Sequence, residues 1–232
     1  IVDRIAGSGD YPERFSQAFP GETNPITLEN ILKAIGCFER TLISGNAPFD
    51  RFMAGDTSAI SESAKRGYDL FSSETAECFH CHGGFNFSDA TDFVGQEATT
   101  PQFHNTGLYN IDGSGGYPAP NRGIFEVTGD PDDMGKFKAP TLRNIAVTAP
   151  YMHDGSIATL PEVIEHYARG GRIIREGPNA GAGYLNPHKD GFVRGFVISD
   201  QEKADLLAFL NSLTDTEFLT NPAYSDPFAD HP

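Results

Sequence analysis

The stretch Cys78-Phe79-His80-Cys81-His82 decides the fold of this 232-residue chain. Two cysteines three residues apart, followed directly by a histidine, form the attachment motif of c-type haem. Each thiol can add to a vinyl group of the haem, and the histidine is then held against the iron as its proximal ligand. Half of a zinc site is the alternative, but zinc usually needs a second Cys/His pair, and the only other cysteine is Cys37. The motif therefore predicts a haem protein.

The composition of the chain excludes several classes of partner. With 17 Lys and Arg against 32 Asp and Glu, the formal net charge is −15 at pH 7. Nucleic acids and anionic membrane surfaces attract basic patches, so we expect neither as a partner. No apolar run approaches the roughly 18 residues that a membrane span needs. Because covalent haem is attached outside the cytoplasm, the motif also predicts a periplasmic protein.

Apolar periodicity predicts a helix over residues 26–44, with Thr27 as its N-cap and one buried face. Cys37 on this helix is expected to be a small apolar filler. A second helix is expected over residues 58–72, leading into the haem motif. Residues 83–141 are rich in Gly, Pro, Asp and Asn, and we expect long loops with a few short strands there. The buried face of the first helix would consist of Leu28, Ile31, Leu32, Ile35, Phe38 and Leu42.

Capping boxes predict two further helices. Thr159 and Glu162 have the Thr-x-x-Glu spacing of a helix start, and Ser199 and Glu202 have the equivalent Ser-x-x-Glu spacing. The first of these helices should end at Gly170-Gly171. The second should bury Leu206, Leu207, Leu210 and Leu213. The expected architecture is mainly α, a cytochrome c-like haem domain with long loops around the haem.

The function of a haem depends on the ligand that faces the iron opposite His82. Methionine there suits electron transfer, histidine suits a low-potential carrier, and an open site suits peroxide chemistry. Tyr167 lies on the apolar face of the helix after Thr159, where its hydroxyl needs a partner, either ferric iron or an ordinary acceptor. His166 is one residue off that face and is expected at the surface. On the residues alone the candidates are Met134, Met152, His104, His153, His166 and Tyr167.

Several motifs in a fixed order carry a resemblance to a known family. They are Phe49-Asp50-Arg51, the haem motif, Phe103-His104-Asn105-Thr106-Gly107-Leu108, Lys138-Ala139-Pro140-Thr141-Leu142-Arg143-Asn144 and Thr148-Ala149-Pro150-Tyr151-Met152-His153-Asp154-Gly155. Over about residues 11–219 the sequence resembles the C-terminal part of bacterial di-haem cytochrome c peroxidases and their MauG-like relatives. The resemblance is closest to the MbnH-like branch of this family. The order of the motifs makes it more specific than the haem motif alone.

The resemblance implies that Tyr167 is the second ligand of the iron and takes part in catalysis. The matching position is methionine in the peroxidases and tyrosine in the MauG-like branch. A phenolate ligand donates charge and stabilises high oxidation states of iron, which suits the storage of oxidising equivalents. Thr148 and Pro150 match the backbone carbonyl donors of a calcium ion that the family holds between its two haems.

Three further residues of the family motifs are candidate haem contacts. His104 and His153 are expected on the haem side of the domain, where each could contact a propionate or a water, or form a structural hydrogen bond. Arg143 could balance a haem propionate. A surface charge is the alternative for Arg143.

The family carries two haem motifs, whereas this sequence contains one, and it contains no tryptophan. The resemblance implies that a first haem domain, which reacts with peroxide, precedes Ile1, so we expect a fragment of a two-haem protein. A shortened relative with a single haem is the alternative. Residues 1–57 would be the helical end of the first cytochrome c-like domain, residues 58–220 the second haem domain, and residues 221–232 an extended tail.

The implied function is that of a haem c oxidoreductase of the MauG/MbnH type. Hydrogen peroxide would generate a high-valent haem that oxidises a side chain, expected to be tryptophan, on a partner protein. The implied cofactors are haem c, one in this chain and two in the full protein, and calcium. A conventional di-haem cytochrome c peroxidase and a simple electron-transfer cytochrome domain are the alternatives. Tyr167 discriminates among them, because methionine there would favour either alternative.

Overall fold

The computed structural model of the chain describes residues 1–91 and 102–226. Over these residues the structure is mainly helical, which confirms the predicted fold class. The helices are α1 (Val2–Ala6), α2 (Tyr11–Ala18), α3 (Leu28–Glu39), α4 (Pro48–Met53), α5 (Glu62–Phe71), α6 (Phe125–Thr128), α7 (Leu160–Ala168), α8 (Asp200–Ser212) and α9 (Thr216–Leu219). The strands β1 (Ile173–Ile174) and β2 (Gly181–Ala182) form an antiparallel ribbon. In the described part of the chain, no helix combines the length and apolar character that crossing a membrane requires.

The chain divides into two compact units. The first consists of Ile1–Gly45 together with the chain from Glu217, and the second consists of Asn46–Thr216. This division differs from the expected boundary after residue 57, because α4 belongs to the second unit and buries Phe49 in its core. The tail groups with the first unit, and as far as residue 226 it contains a 3₁₀ turn at Pro222–Tyr224. Its residues 227–232 lie outside the described part.

In the first unit, α3 begins after Thr27, whose hydroxyl accepts a hydrogen bond from the Asn30 backbone N–H as expected of the predicted N-cap. The prediction that the whole apolar face of this helix is buried is wrong. Ile31 is buried, but Cys37 is exposed and is not an apolar filler. Periodicity identifies an apolar face without showing what covers it. The exposed members of that face are Leu28 (54%), Leu32 (59%), Ile35 (48%), Phe38 (49%) and Leu42 (38%).

The packing of α5 against α8 forms the centre of the second unit. Gly67 of α5 lies so close to α8 that a Cβ atom there would overlap the backbone carbonyl of Asp205. Phe209 of α8 is completely buried, and its ring centroid lies 5.2 Å from that of Phe49 and 5.0 Å from that of Phe71. The two helices and α4 thus share one aromatic core.

The predicted capping boxes are confirmed. Thr159 and Glu162 cap α7 reciprocally, and Ser199 and Glu202 cap α8 in the same way. The second predicted helix, α5, begins after Ser61 rather than near residue 58, because the Ser61 hydroxyl accepts from a backbone N–H of its first turn. In and just after α8, Leu206, Leu210 and Leu213 are buried as expected, whereas Leu207 is only half-buried.

Long loops account for most of residues 83–141, as predicted, although residues 92–101 lie outside the described part. The short strands expected there are wrong: the described residues of this region show an isolated bridge between His104 and Phe137 instead. Buried side-chain hydrogen bonds order these loops. The Tyr117 hydroxyl donates to Asn105 Oδ1 at 2.9 Å and accepts from the Leu108 N–H at 3.1 Å.

Candidate functional site

A cavity of about 550 Å³ lies in the second unit, and its volume is in the range of cofactor pockets. Cys78, Cys81 and His82 line it, as does Tyr167 of α7. Most of the remaining wall is apolar. The contributions of α7 and α8 to this wall are Leu160, Val163, Ile164, Leu206 and Leu210. The structure thus brings the haem motif and the predicted second ligand into one apolar cavity.

The ring of His82 is oriented by a backbone carbonyl. Its Nδ1 lies 3.0 Å from the Phe87 carbonyl oxygen, which can only accept, so Nδ1 carries the hydrogen. In the neutral ring the other nitrogen, Nε2, then carries no hydrogen and could bind a metal. Burial lowers the pKa of His82, which favours this neutral form. A carbonyl bonded to the outer nitrogen of a ligating histidine is the usual support of a metal site.

Cys78 and Cys81 are half-buried free thiols. Burial raises the pKa of the Cys78 thiol to about 12, so it is protonated at neutral pH. Its Sγ donates weakly to the Ala76 carbonyl oxygen at 3.4 Å. Both residues line the cavity, where thioether bonds to the haem vinyl groups would form.

Tyr167 is a half-buried residue of α7 that lines the same cavity. Burial raises the pKa of its hydroxyl well above the ordinary value, and no hydrogen-bond partner for that hydroxyl is found in the described residues. Two thiols, an imidazole nitrogen and a phenol around an apolar cavity fit covalent haem c with a second protein ligand.

His104 lines the cavity, but neither of its nitrogens is available for a propionate. Nδ1 lies 2.7 Å from Asp190 Oδ2, and Nε2 lies 2.6 Å from Asp89 Oδ2. The hydrogen bond to Asp190 is the main reason why the pKa of His104 is raised to about 11. Sequence reasoning missed both aspartates, because neither lies in the family motifs. Asp89 is 15 residues before His104 and Asp190 is 86 residues after it.

His153 also lines the cavity, although it is an exposed residue. Its ring stacks on that of Phe137, with the two ring centroids 3.9 Å apart.

Arg143 does not line the cavity. Its guanidinium binds Asp50 at 2.9 Å, so the idea that it balances a propionate is not supported. It is also not a surface charge, because it is only 9% exposed.

The structure separates the other candidates for the second iron ligand. Met152 lines the cavity, whereas Met134 does not. His166 is buried, so its predicted place at the surface is wrong: it is 4% exposed and its Nε2 lies 2.9 Å from the Thr106 carbonyl oxygen. Thr148 and Pro150 line the cavity, and their role as calcium donors stays a prediction.

Comparisons with known proteins identify the family of the chain. Residues 1–58 match the sequence family described as di-haem cytochrome c peroxidase. The chain is 36% identical over 214 residues to the methylamine utilization protein MauG of Methylophilus methylotrophus, covering 92% of this chain and 54% of that protein. It is 33% identical over 170 residues to the cytochrome c551 peroxidase of Nitrosomonas europaea, covering 71% of this chain and 44% of that protein.

A solved structure is more similar still. The crystal structure of a MauG-like protein associated with microbial copper homeostasis is 49% identical to this chain, with a TM-score of 0.92. The match covers 98% of this chain and 65% of that one. The chain spans about half the length of the MauG and peroxidase relatives.

Proposed function

The chain belongs to the di-haem cytochrome c peroxidase and MauG family, and on this basis we propose that it holds one haem c of a di-haem oxidoreductase. Cys78 and Cys81 would carry the thioether bonds, and His82 Nε2 would bind the iron. The bound haem supplies one-electron redox chemistry. One observation carries the proposal: the haem motif and Tyr167 line the same cavity of about 550 Å³.

We propose Tyr167 as the second protein ligand of the iron. Its buried phenolate would be unfavourable without a nearby cation, as the raised pKa of the hydroxyl shows. Ferric iron would supply that charge, and the Tyr167 hydroxyl would give up its proton on binding it. A Tyr167 phenolate would donate charge to the iron, which would favour the storage of oxidising equivalents over rapid electron shuttling.

For the full-length protein we propose a MauG-like activity in the periplasm. Peroxide would supply the oxidising equivalents, and the substrate would be a side chain, expected to be tryptophan, on a partner protein. The 36% identity to a MauG protein and the 49% identity to a MauG-like protein support this choice. A calcium ion held by the Thr148 and Pro150 carbonyls belongs to the same proposal.

A conventional cytochrome c peroxidase is the second candidate, supported by the 33% identity to the cytochrome c551 peroxidase of Nitrosomonas europaea. Tyr167 favours the MauG-like activity, because the resemblance places methionine at this position in the peroxidases. The two activities differ in the fate of peroxide. A conventional peroxidase oxidises a reduced small cytochrome in proportion to the peroxide consumed, whereas a MauG-like enzyme with its partner yields an oxidised residue that mass spectrometry detects.

Covalent attachment is tested by producing the chain in cells that mature c-type cytochromes. Haem should remain bound to the denatured wild-type protein, and the double variant Cys78→Ala/Cys81→Ala should lose it. Cys37→Ala is the control, because Cys37 is exposed and should not affect haem content. Loss of haem in the control, or retention in the double variant, would contradict the proposed attachment.

Ligation by Tyr167 is tested by the exchange Tyr167→Phe. We expect the optical and electron paramagnetic resonance spectra of the ferric protein to change. Tyr151→Phe is a matched control: Tyr151 lines the cavity, but its hydroxyl donates to the Ile145 carbonyl oxygen at 3.0 Å. Unchanged spectra for Tyr167→Phe, or equal changes for both variants, would refute ligation.

A further inference from the structure

His104 is held between two carboxylates in the wall of the cavity. Asp89 and Asp190 each bind one of its ring nitrogens, at 2.6 and 2.7 Å. Ionised carboxylates only accept hydrogen bonds, so both nitrogens have to donate, and imidazolium is the form with two N–H groups. The raised pKa of His104 agrees with this geometry. We call these three side chains the Asp–His–Asp cluster.

The Asp–His–Asp cluster carries a charge that solvent screens only in part. One imidazolium against two carboxylates leaves one net negative charge. The side chains of His104, Asp89 and Asp190 are only 14%, 18% and 20% exposed. The Asp89 Oδ1 atom is buried without a hydrogen-bond partner among the described residues. Lys136 also acts on Asp190 and pairs with Asp133, and His82 interacts electrostatically with Asp89 and His104.

The cluster lies beside the point of haem attachment. Cys81 Sγ, a carboxylate oxygen of Asp89 and a ring nitrogen of His104 are all within 4.8 Å of one another. The charges of the cluster are therefore adjacent to the sulfur that would bond the haem edge. In a poorly solvated site, a charge at this position changes the free energies of the oxidised and the reduced haem by different amounts, and so changes the reduction potential.

We propose that the Asp–His–Asp cluster sets the reduction potential of the haem attached at Cys81, with His104 as a permanent positive charge between two negative ones. This inference rests on the proposed haem site. His104 does not bind the haem in this arrangement. It is a positioning and tuning residue that orders two carboxylates beside the haem and cancels one of their charges.

The inference predicts shifts of opposite sign. His104→Gln removes the positive charge and stabilises the oxidised haem, so the reduction potential falls. Asp190→Asn removes a negative charge, so the potential rises. Each change should alter the equilibrium constant for reduction by roughly tenfold. The double variant His104→Gln/Asp190→Asn keeps one net negative charge, and its potential should return close to that of the parent protein.

The measurement is spectroelectrochemistry of the full-length haem-loaded protein. Asp132→Asn is the charge control, because it removes an 84% exposed carboxylate and should leave the potential unchanged. Asp89→Asn provides a second test if His104→Gln does not fold, and it should raise the potential as Asp190→Asn does. Opposite shifts that cancel in the double variant support the inference.

Two outcomes overturn the inference, and they have different consequences. If the variants bind haem normally but their potentials do not move, or all move in one direction, the cluster does not tune the haem and the proposed haem site stands. If even the parent protein binds no haem at Cys78 and Cys81, the proposed function and this inference fall together.

Discussion

The guanidinium of Arg143 binds both carboxylate oxygens of Asp50, at 2.9 and 3.0 Å. The same guanidinium donates to the Phe85 carbonyl oxygen, from Nη2 at 2.7 Å and from Nε at 3.1 Å. The side chains of Arg143 and Asp50 are 6% and 16% exposed. Arg143 therefore links α4 to loops of the second unit, and its donors are largely occupied by protein acceptors.

We expect Asp50→Asn to lower the free energy of unfolding by about 3 kcal/mol or more, because it leaves the Arg143 charge buried without its partner. The visible haem spectrum should not change, since Arg143 does not line the cavity. Urea unfolding measures the first effect and absorbance the second. Glu29→Gln is the control: its ion pair with Lys33 is exposed, so its loss should leave the free energy of unfolding almost unchanged. A shifted haem spectrum in Asp50→Asn would contradict this account.

Gly67 is required for the close contact of α5 with α8. Gly67→Ala places a methyl group against the Asp205 carbonyl and the Phe209 side chain, so we expect a loss of about 3 kcal/mol in unfolding free energy. Gly36→Ala is a matched control in α3, where nothing lies within 4 Å of the added Cβ. That change should stabilise the protein by about 0.5–1 kcal/mol, because alanine loses less backbone entropy than glycine when the helix folds. Equal effects of the two changes would show that the contact is not tight.

The sequence predicted the features that depend on neighbouring residues. Each capping box needs only two residues three positions apart, so those at Thr159 and Ser199 could be recognised without knowledge of the fold. The haem motif is equally local. Tyr167 was placed in the cavity wall by the helical periodicity after Thr159 and by the resemblance to the family.

Features that depend on distant residues could not be predicted. Arg143 and Asp50 are separated by 93 residues, and His104 and Asp190 by 86. A charged residue gives no signal in its own neighbourhood of which distant partner neutralises it. His166 was misplaced for the same reason, because its burial depends on the Thr106 carbonyl of a loop 60 residues away.

Asp205 of α8 makes the stability of the protein sensitive to acid. Its carboxylate accepts from Ser63, Gln201 and two donors of Arg66, and the bonds to Arg66 are the main reason for a pKa well below the ordinary value. A lowered folded-state pKa means that this stabilisation is complete above the unfolded-state pKa of about 4 and is lost as the pH falls below it.

Asp205→Asn should therefore lower the unfolding free energy at pH 7 by about 2 kcal/mol, less than for Asp50→Asn, because Arg66 is 55% exposed. The difference from the parent protein should shrink as the pH is lowered from about 5 towards 2. Urea unfolding at several pH values measures it. Asp69→Asn, at an exposed position of α5, should show neither effect. A difference that stays constant down to pH 2 would contradict the assignment.

The apolar walls of the cavity predict that haem stabilises the fold as well as supplying its chemistry. Ile164 of α7 and Leu206 and Leu210 of α8 line the cavity, so without haem these side chains lose packing partners or meet water. We expect the free energy of unfolding of the haem-free variant Cys78→Ala/Cys81→Ala to be lower than that of the haem-loaded parent by at least about 3 kcal/mol. Thermal and urea unfolding followed by far-ultraviolet circular dichroism measure this loss. A variant with the same mutations that binds no haem yet unfolds like the parent would show that the cavity does not depend on haem for its stability.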